Sequence, residues 1–220
     1  MTRTLTPEQA RRYYERNAHK QDAQGWYEDA ALERLIALGD FGNAEAVLEV
    51  GCGTGKLAEL LLRDHMGAHA TYIGVDISNS MLARAGTRLK HYLPRVKLSP
   101  ADITLGLAAS DATKDRIVAT YVFDLLSMAH SRNLLTNMHR VLRPGGLICL
   151  AGLTRESEEA GMNVFSQLWT LIQRRWPWLA GGCRPVALRP LLDKTRWRIV
   201  AHETVAPRGL ASEILIARKL

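Results

Sequence analysis

The chain has 220 residues, 47% of them hydrophobic, and carries a formal net charge of +7. This length suits one globular domain with a sizeable core, and the composition excludes global disorder. No apolar run is long enough to cross a bilayer, and the first residues lack the apolar segment of a secretory signal. The three cysteines form no CxxC pair and no disulfide framework, so a reducing cytoplasm and no metal site are expected.

Two helices are predicted before the first strand. The sequence TPEQ at residues 6–9 is typical of a capped helix start, and this helix is predicted to end near Asn17. A second helix is predicted over Trp26–Leu38, where apolar residues recur on one face and a glycine follows. Residues 1–45 are therefore interpreted as N-terminal cap helices.

Short apolar strands then alternate with helical stretches. Five strands are predicted, at Ala46–Val50, Thr71–Asp76, Val96–Pro100, Asp115–Thr120 and Leu147–Ala151. Helices are predicted between them at Lys56–His65, Ser78–Leu89 and Asn133–Leu142. This alternation implies parallel βαβ units and a doubly wound α/β sheet.

The pattern changes after the fifth strand. Two more strands are predicted at Trp197–Glu203 and Ser212–Ala217, connected through Pro207, Arg208 and Gly209. Because no linker or internal repeat interrupts the chain, residues 1–220 are interpreted as a single domain. Its predicted parts after the cap helices are a core at 46–154, an insert at 155–195 and a terminal strand pair at 196–220.

The first strand runs into a glycine-rich turn, VLEVGCGTG at residues 47–55. A Walker phosphate loop requires GxxxxGK followed by Ser or Thr, but Val50 and Leu57 occupy the first and last of those positions. A dinucleotide fingerprint requires GxGxxG, and its third glycine would fall on Lys56. The remaining pattern is GxGxG at residues 51–55, directly after an acidic residue in the strand.

Five motifs in sequence order resemble those of one enzyme family. Residues 49–55, EVGCGTG, resemble motif I of the class I S-adenosylmethionine-dependent methyltransferases. Residues 74–78 resemble the end of strand 2 in that family, and Asp102-Ile103 its adenine-binding pair. Residues 115–121 resemble strand 4 with its turn, and residues 142–146 the loop before strand 5. One GxGxG pattern is weak evidence, whereas five motifs in order are strong.

The resemblance implies a fold, a cofactor and a set of binding residues. The fold is a three-layer Rossmann-like sheet of seven strands in the order 3-2-1-4-5-7-6, with strand 7 antiparallel. The cofactor is S-adenosyl-L-methionine. The implied cofactor-binding residues are Glu49, Gly51, Cys52, Gly53, Gly55, Asp76, Ile77, Asp102, Ile103, Thr120 and Tyr121.

Elementary chemistry agrees with these assignments. S-adenosylmethionine has no phosphate, and glycines let the backbone approach its methionine and ribose parts closely because no Cβ intervenes. Asp76 follows Gly55 by 21 residues, which matches the spacing of the acidic ribose ligand in dinucleotide-binding folds. An ionised carboxylate at this position can accept hydrogen bonds from both ribose hydroxyls.

Four of the implied residues have a structural alternative. Asp76 either holds the ribose or caps the helix that follows, and Cys52 either contributes to the cofactor turn or only packs in the core. Glu49 either lowers the cost of holding the cationic sulfonium or only anchors neighbouring backbone N–H groups. Asp102 either accepts a hydrogen bond from the adenine amino group, beside the Ile103 N–H, or caps the loop before Thr104.

No clear catalytic constellation is present, and methyl transfer by in-line displacement requires a base only when the acceptor must lose a proton. Asp124 and His130 are weak candidates for such a base. Their alternatives are a helix cap and a surface residue. Tyr14 is a weak candidate for closing the pocket, with packing of the helix face as its alternative.

Residues 155–195 are expected to form a lid over the acceptor. The tryptophans at 169, 176 and 178, beside Arg174-Arg175, would suit a flat, apolar or lipid-like acceptor at a membrane surface, or would bury a helix on the sheet. The turn at Ala180–Pro185 is expected to direct Arg184 inward.

The predicted function is S-adenosylmethionine-dependent methyl transfer to a small acceptor, which could be apolar or lipid-like. The positive charge leaves an RNA or protein methyltransferase open, although no added recognition module is visible. A non-catalytic cofactor-binding or scaffolding subunit is a second alternative, and an NAD(P)-dependent oxidoreductase is disfavoured by Lys56. A cytoplasmic protein is expected, with peripheral membrane contact left open, no DNA partner and no prediction of oligomeric state.

Overall fold

The computed structural model describes residues 5–154 and 183–220. Within these ranges the α-helices are α1 (Pro7–Asn17), α2 (Gly25–Leu38), α3 (Lys56–Leu60), α4 (Asn79–Arg88) and α5 (Met128–Val141). The strands are β1 (Ala46–Val50), β2 (Thr71–Asp76), β3 (Val96–Pro100), β4 (Lys114–Thr120), β5 (Leu142–Leu153), β6 (Trp197–Val205) and β7 (Ser212–Lys219). The predicted lid tryptophans and Arg174-Arg175 lie outside the described residues.

The strands form one seven-stranded sheet in the order β3-β2-β1-β4-β5-β7-β6. β7 pairs antiparallel with both β5 and β6, whereas the pairs among β1 to β5 are parallel. The predicted fold class and strand order are therefore confirmed. The strand order reverses between β1 and β4, and in such sheets the crevice beyond the carboxyl ends of these strands is where ligands bind.

The sheet separates two apolar cores, which makes the fold three-layered. One core includes Leu35 of α2, Leu61 and Tyr72, and the other includes Leu134 and Met138 of α5. All five side chains are almost completely buried. No helix within the described ranges has the length and apolarity that crossing a membrane requires.

The start of α5 differs from the prediction. The helix begins at Met128 rather than at Asn133, because the Ser127 hydroxyl accepts a hydrogen bond from the His130 N–H and caps the helix. His130 therefore lies in the first turn of α5, directly after the segment that follows β4. The sequence prediction placed this turn in a loop and was wrong by five residues.

Smaller differences concern the other element ends. The helix predicted over Lys56–His65 is α-helical only to Leu60 and continues as one π-helical turn over Leu61–His65. β5 is longer than predicted at both ends, and β6 and β7 extend by two residues each. The predicted capping box of α1 is present, since Thr6 and Gln9 exchange side-chain to backbone hydrogen bonds of 3.2 and 3.0 Å.

Candidate active site

A cleft opens at the carboxyl ends of β1, β2 and β4, and its empty volume is about 990 Å³ when the adjoining space open to solvent is included. The glycine turn and the end of β2 contribute Gly51, Gly53, Asp76 and Ile77. The segments after β3 and at the end of β4 contribute Asp102, Ile103, Thr120 and Tyr121. The structure thus brings together eight of the eleven cofactor-binding residues that the sequence suggested.

The three glycines of the turn have left-handed backbones with φ of +73°, +51° and +75°, and each serves a different purpose. A Cβ on Gly51 would lie 2.5 Å from Val122 Cγ2, and one on Gly55 would lie 3.1 Å from Ala85 Cβ. A Cβ on Gly53 would meet nothing within 4 Å. Gly53 therefore borders the space of the cleft, whereas Gly55 allows close packing on α4 and does not line it.

Asp76 joins the end of β2 to the glycine turn. Its Oδ2 accepts a hydrogen bond from the Gly53 N–H at 2.9 Å, and its Oδ1 accepts one from the Ser78 N–H at 2.9 Å. Burial raises the pKa of Asp76, while these backbone donors oppose the rise. Each carboxylate oxygen has a second lone pair, so the side chain can still accept hydrogen bonds from the cleft. The N-cap of α4 is Ser78, whose hydroxyl accepts from the Met81 N–H.

Asp102 caps its own loop and also lines the cleft. Its Oδ1 accepts hydrogen bonds from the Thr104 N–H at 3.0 Å and from the Thr104 hydroxyl at 2.7 Å. The loop cap weighed in the sequence is therefore present. It occupies one carboxylate oxygen and leaves Oδ2 for a ligand.

Glu49 and Cys52 lie outside the lining of the cleft. Only 2% of Glu49 is exposed, and the Tyr72 hydroxyl donates a hydrogen bond to its carboxyl group. Burial raises the pKa of Glu49 to about 8, and the Tyr72 hydrogen bond only partly opposes this. Cys52 is buried with its sulfur against the backbone at Gly74. A part for either residue in cofactor binding stays a prediction.

Tyr121 lies directly after β4 and lines the cleft. Its φ of +57° is left-handed, which is uncommon for a bulky residue and concentrates at functional sites. The conformation is held by a 2.7 Å hydrogen bond from its N–H to the Ala151 carbonyl and by a 3.0 Å contact between its hydroxyl and Ser212 Oγ. The ring packs edge-to-face on Tyr27 of α2, with centroids 5.7 Å apart. This strained residue thus fixes one wall of the cleft.

Of the three predicted catalytic candidates, two line the cleft and one does not. Asp124 is fully buried, does not line the cleft, and accepts a 2.9 Å hydrogen bond from the Leu153 N–H. Burial raises its pKa well above the ordinary value. His130 and Tyr14 both line the cleft, and the Tyr14 hydroxyl lies 4.0 Å from Cys183 Sγ.

Arg184 is turned towards the protein interior, as the sequence suggested. Its backbone N–H donates to the Asp124 carbonyl at 3.1 Å, and its guanidinium donates to the Leu126 carbonyl. These contacts hold the chain after the insert against the segment that follows β4. The residue itself does not line the cleft.

Sequence reasoning missed Glu28, which lines the cleft from α2 beside Tyr27. Burial raises the pKa of Glu28 to about 7, while a hydrogen bond from Tyr27 and the charge of Lys56 oppose the rise. A signal was available, because Glu28 precedes the buried Leu32 and Leu35 by four and seven residues. That helical spacing places a carboxyl group on the buried face.

The N-terminal segment is fastened over the cleft at two points. Glu15 of α1 accepts hydrogen bonds from the Asn79 N–H at 2.7 Å and the Ser80 N–H at 3.1 Å, at the start of α4. A carboxylate is favoured there by the unpaired N–H groups and the helix dipole. Between α1 and α2, Asp22 accepts a 2.6 Å hydrogen bond from the hydroxyl of Thr54 in the glycine turn. The cover and the turn are therefore connected directly.

The cleft is acidic. Glu28, Asp76 and Asp102 line it, and among the residues that the structure describes no lysine or arginine does. Within the same residues no group of His, Cys, Asp and Glu side chains is placed to hold a metal ion. The cleft therefore favours a cation or a neutral molecule over an anion.

A model of the methyltransferase domain family matches residues 47–146. The O-methyltransferase rstn1 of Aspergillus nomiae is 30% identical over 172 residues, which cover 76% of this chain and 69% of that protein. The chain belongs to the S-adenosylmethionine-dependent methyltransferases. A further relative of this methyltransferase is GfsG of Streptomyces halstedii, 34% identical over 123 residues, 55% of this chain and 42% of that protein. The chain spans about half or less of the length of the first curated relatives that it matches.

Solved structures share the fold over almost the whole chain. The [4+2]-cyclase SpnF has a TM-score of 0.75 at 20% identity, with 98% of this chain and 97% of that chain covered. The N-methyltransferase NodS of Bradyrhizobium japonicum, in complex with S-adenosyl-L-homocysteine, has a TM-score of 0.70 at 18% identity, with 96% and 98% covered. At these identities the likeness shows the fold alone.

S-adenosylmethionine is the cofactor of this family, and the cleft of the chain fits it. The cofactor supplies a methyl group on a positively charged sulfur, which an acidic cleft accommodates. Asp76 has lone pairs available for ribose hydroxyls, and Asp102 Oδ2 is available for an amino group. Gly53 leaves open space where any side chain would intrude.

Proposed function

We propose that the chain transfers the methyl group of S-adenosylmethionine to a small, largely apolar acceptor. The observation that carries this is the composition of the cleft beyond the cofactor residues. Its lining there is mostly apolar and aromatic, from Tyr14, Tyr27, Leu125, Leu126 and Cys183. Such a wall, with few polar groups, is typical of small-molecule sites.

The residues of the chain contribute by positioning and by excluding water. α1 lies over the cleft and is fastened to α4 through Glu15, so a bound acceptor would be shielded from solvent. Tyr121 is held on both its backbone and its hydroxyl, which gives the wall beside the acceptor a fixed shape. Methyl transfer depends on such alignment because the reacting atoms must approach in line.

The same features disfavour RNA as the acceptor. RNA binding depends on lysine and arginine contacts to phosphates, and none of these side chains lines the cleft among the described residues. The net charge of +7 belongs to the chain as a whole and does not locate a site.

The test is incubation of the protein with methyl-labelled S-adenosylmethionine and an extract of the source organism, fractionated into RNA, protein, lipid and soluble small molecules. The label is expected in the lipid or the small-molecule fraction, and the Asp76→Ala variant should not transfer it. Label in RNA or protein would contradict the proposal. Cofactor binding without any transfer would instead favour a non-catalytic subunit.

Peripheral contact with a membrane depends on residues outside the described ranges and stays a prediction. Its test is sedimentation of the protein with vesicles of neutral and of anionic lipids. Binding to the anionic vesicles that weakens as salt rises would support it, because such contacts are screened by ions.

A further inference from the structure

We propose that Glu28 is the catalytic base of this methyltransferase, and that the acceptor is a neutral molecule which is methylated on a phenol-like or enol-like hydroxyl group. The inference rests on the proposed small-molecule function and narrows its substrate class. It is carried by the position of Glu28 and by the acidic side chains with which the described residues line the cleft.

Glu28 is fixed in place by the helix that carries it. α2 packs on the sheet through Leu32, which is 6% exposed, and Leu35, which is fully buried. One turn earlier on the same face, Glu28 lines the cleft that Gly51 and Tyr121 also line. A helix that is packed on the sheet thus presents Glu28 to the same cleft as the glycine turn and Tyr121.

The surroundings of Glu28 suit a group that takes up protons near neutral pH. Tyr27 donates a hydrogen bond to it and Lys56 of α3 attracts the charged form, while Asp22 and Asp29 disfavour that form. Asp29 itself forms a 2.5 Å ion pair with Lys56. Tyr121, Cys183 and the buried Asp124 also interact electrostatically with Glu28, whose charge raises the pKa of each. Burial outweighs the favourable contacts, so the pKa is about 7.

Other acid–base groups of the cleft are less suited. Asp76 and Asp102 are engaged by backbone N–H groups of the cofactor side. Tyr14, Tyr27, Tyr121 and Cys183 have pKa values raised by burial and remain neutral. His130 is the remaining rival, and its variant is therefore part of the test.

The charges of the cleft indicate the kind of acceptor. A carboxylate or phosphate ester would need a cationic partner, and no lysine or arginine lines the cleft among the described residues. A neutral amine can attack with its lone pair before it loses a proton, so it needs no base at that step. A neutral hydroxyl group, by contrast, becomes a good nucleophile only as its proton leaves.

The reaction balances with the groups named. A lone pair of the acceptor oxygen forms the new O–C bond, and the C–S bond breaks with its electron pair remaining on sulfur. The proton of the hydroxyl group passes to the Glu28 carboxylate and from there to solvent. No oxidant, reductant or metal ion is required.

The experiment uses the labelled small-molecule or lipid product of the wild-type reaction. Release of the label as methyl iodide by hydriodic acid, together with its resistance to mild alkali, would identify a methyl ether rather than an ester or an amine. Glu28→Gln should lower the transfer rate by about 100-fold or more, with affinity for S-adenosylmethionine unchanged. Glu28→Asp should retain part of the rate. Glu33→Gln, the same change at an exposed site on α2, is the matched control and should transfer at the wild-type rate.

A pH profile separates a base from a merely structural carboxyl group. The wild-type rate should rise with pH to a plateau, with a midpoint near 7, because only the ionised carboxylate accepts a proton. Tyr27→Phe removes a hydrogen bond that lowers the pKa of Glu28, so its midpoint should move to higher pH. This variant keeps the test valid even if Glu28→Gln does not fold.

The outcomes distinguish the two proposals. If wild-type protein labels no small molecule or lipid, the proposed function fails, and the inference fails with it. If a product forms but carries its label on nitrogen, carbon or an ester, only the assignment of the hydroxyl acceptor and its base is overturned. The same holds if Glu28→Gln retains more than a tenth of the rate, or if His130→Gln abolishes the pH dependence while Glu28→Gln preserves it.

Discussion

The backbone N–H of Gly53 donates a hydrogen bond of 2.9 Å to the carboxylate of Asp76. This contact connects the turn after β1 with the end of β2, which is the neighbouring strand in the sheet. The side chain expected to hold ribose therefore also shapes the turn that approaches the cofactor. Such preorganisation reduces the loss of conformational entropy when the cofactor binds, and so favours binding.

Removal of the Asp76 carboxylate should abolish tight cofactor binding. Asp76→Ala loses the acceptors for ribose and the contact with Gly53, and affinity for S-adenosylmethionine should fall by about 100-fold, or roughly 2.7 kcal/mol. Asp115→Ala is the matched control. That carboxylate also accepts backbone hydrogen bonds, from Glu45 and Ala46, but at the amino ends of the strands and away from the cleft. Calorimetric titration should find normal affinity in the control. Equal affinities in all three proteins would contradict a ribose-binding role.

Gly53→Ala should impair binding more than folding. A left-handed alanine costs about 1 kcal/mol of stability, and its Cβ would enter the open space of the cleft. Gly145 provides the control, because its φ is also left-handed at +76° and a Cβ there would likewise meet nothing within 4 Å. Urea unfolding should show similar losses for both alanine variants, whereas only Gly53→Ala should lose cofactor affinity, by tenfold or more. Equal cofactor affinity in the two variants would exclude close backbone approach at Gly53.

Asp102→Asn tests the separate use of the two carboxylate oxygens. The amide oxygen can keep the cap on Thr104, but an NH₂ group then replaces the acceptor that faces the cleft. Affinity for S-adenosylhomocysteine should fall about tenfold, and affinity for S-inosylhomocysteine, which has a carbonyl in place of the amino group, should rise relative to it. Asp111→Asn, an exposed change in the next loop, should not alter the preference. A preference unchanged in Asp102→Asn would leave Asp102 with the cap alone.

Much of this arrangement could be predicted from the sequence because it is encoded locally. The bounds of β1, β2 and β3 follow from short apolar runs between turn signals, and the structure has them as predicted. The order of the strands was predicted from the resemblance of the motifs to those of the family. Asp76, Asp102 and the glycines follow the strands at fixed spacings, so the geometry of parallel strands brings them to one edge.

The part of the cleft that α1 and α2 form could not be predicted in the same way. Glu28 lines the same cleft as Tyr121 and Cys183 only because α2 packs on the sheet, and no local pattern specifies that arrangement. The Glu15 contact with Ser80 joins residues 65 positions apart, and side-chain pairs of this kind have no sequence period. Helical spacing predicts that Glu28 faces inward. It does not predict which residues of the sheet surround the carboxyl group, and those residues decide what the group can do.

Glu49 should make the stability of the protein depend on pH. Its pKa in the folded chain is about 8, above its ordinary value of 4.5. Between these values the unfolded chain has released a proton that the folded chain still holds. Stability therefore falls as pH rises through this window, and the loss is complete above the folded pKa.

Glu49→Gln removes the ionisation but keeps an oxygen that can accept from the Tyr72 hydroxyl. The variant should match wild type near pH 5 and be the more stable protein at pH 9, by a few kcal/mol at most, since one pKa unit corresponds to about 1.4 kcal/mol. Glu45→Gln, at an exposed position just before β1, should leave the wild-type slope unchanged. Urea unfolding at pH 5, 7 and 9 measures the difference. Parallel curves for Glu49→Gln and wild type would mean that Glu49 is already ionised in the folded protein, and its charge would then be available to the sulfonium after all.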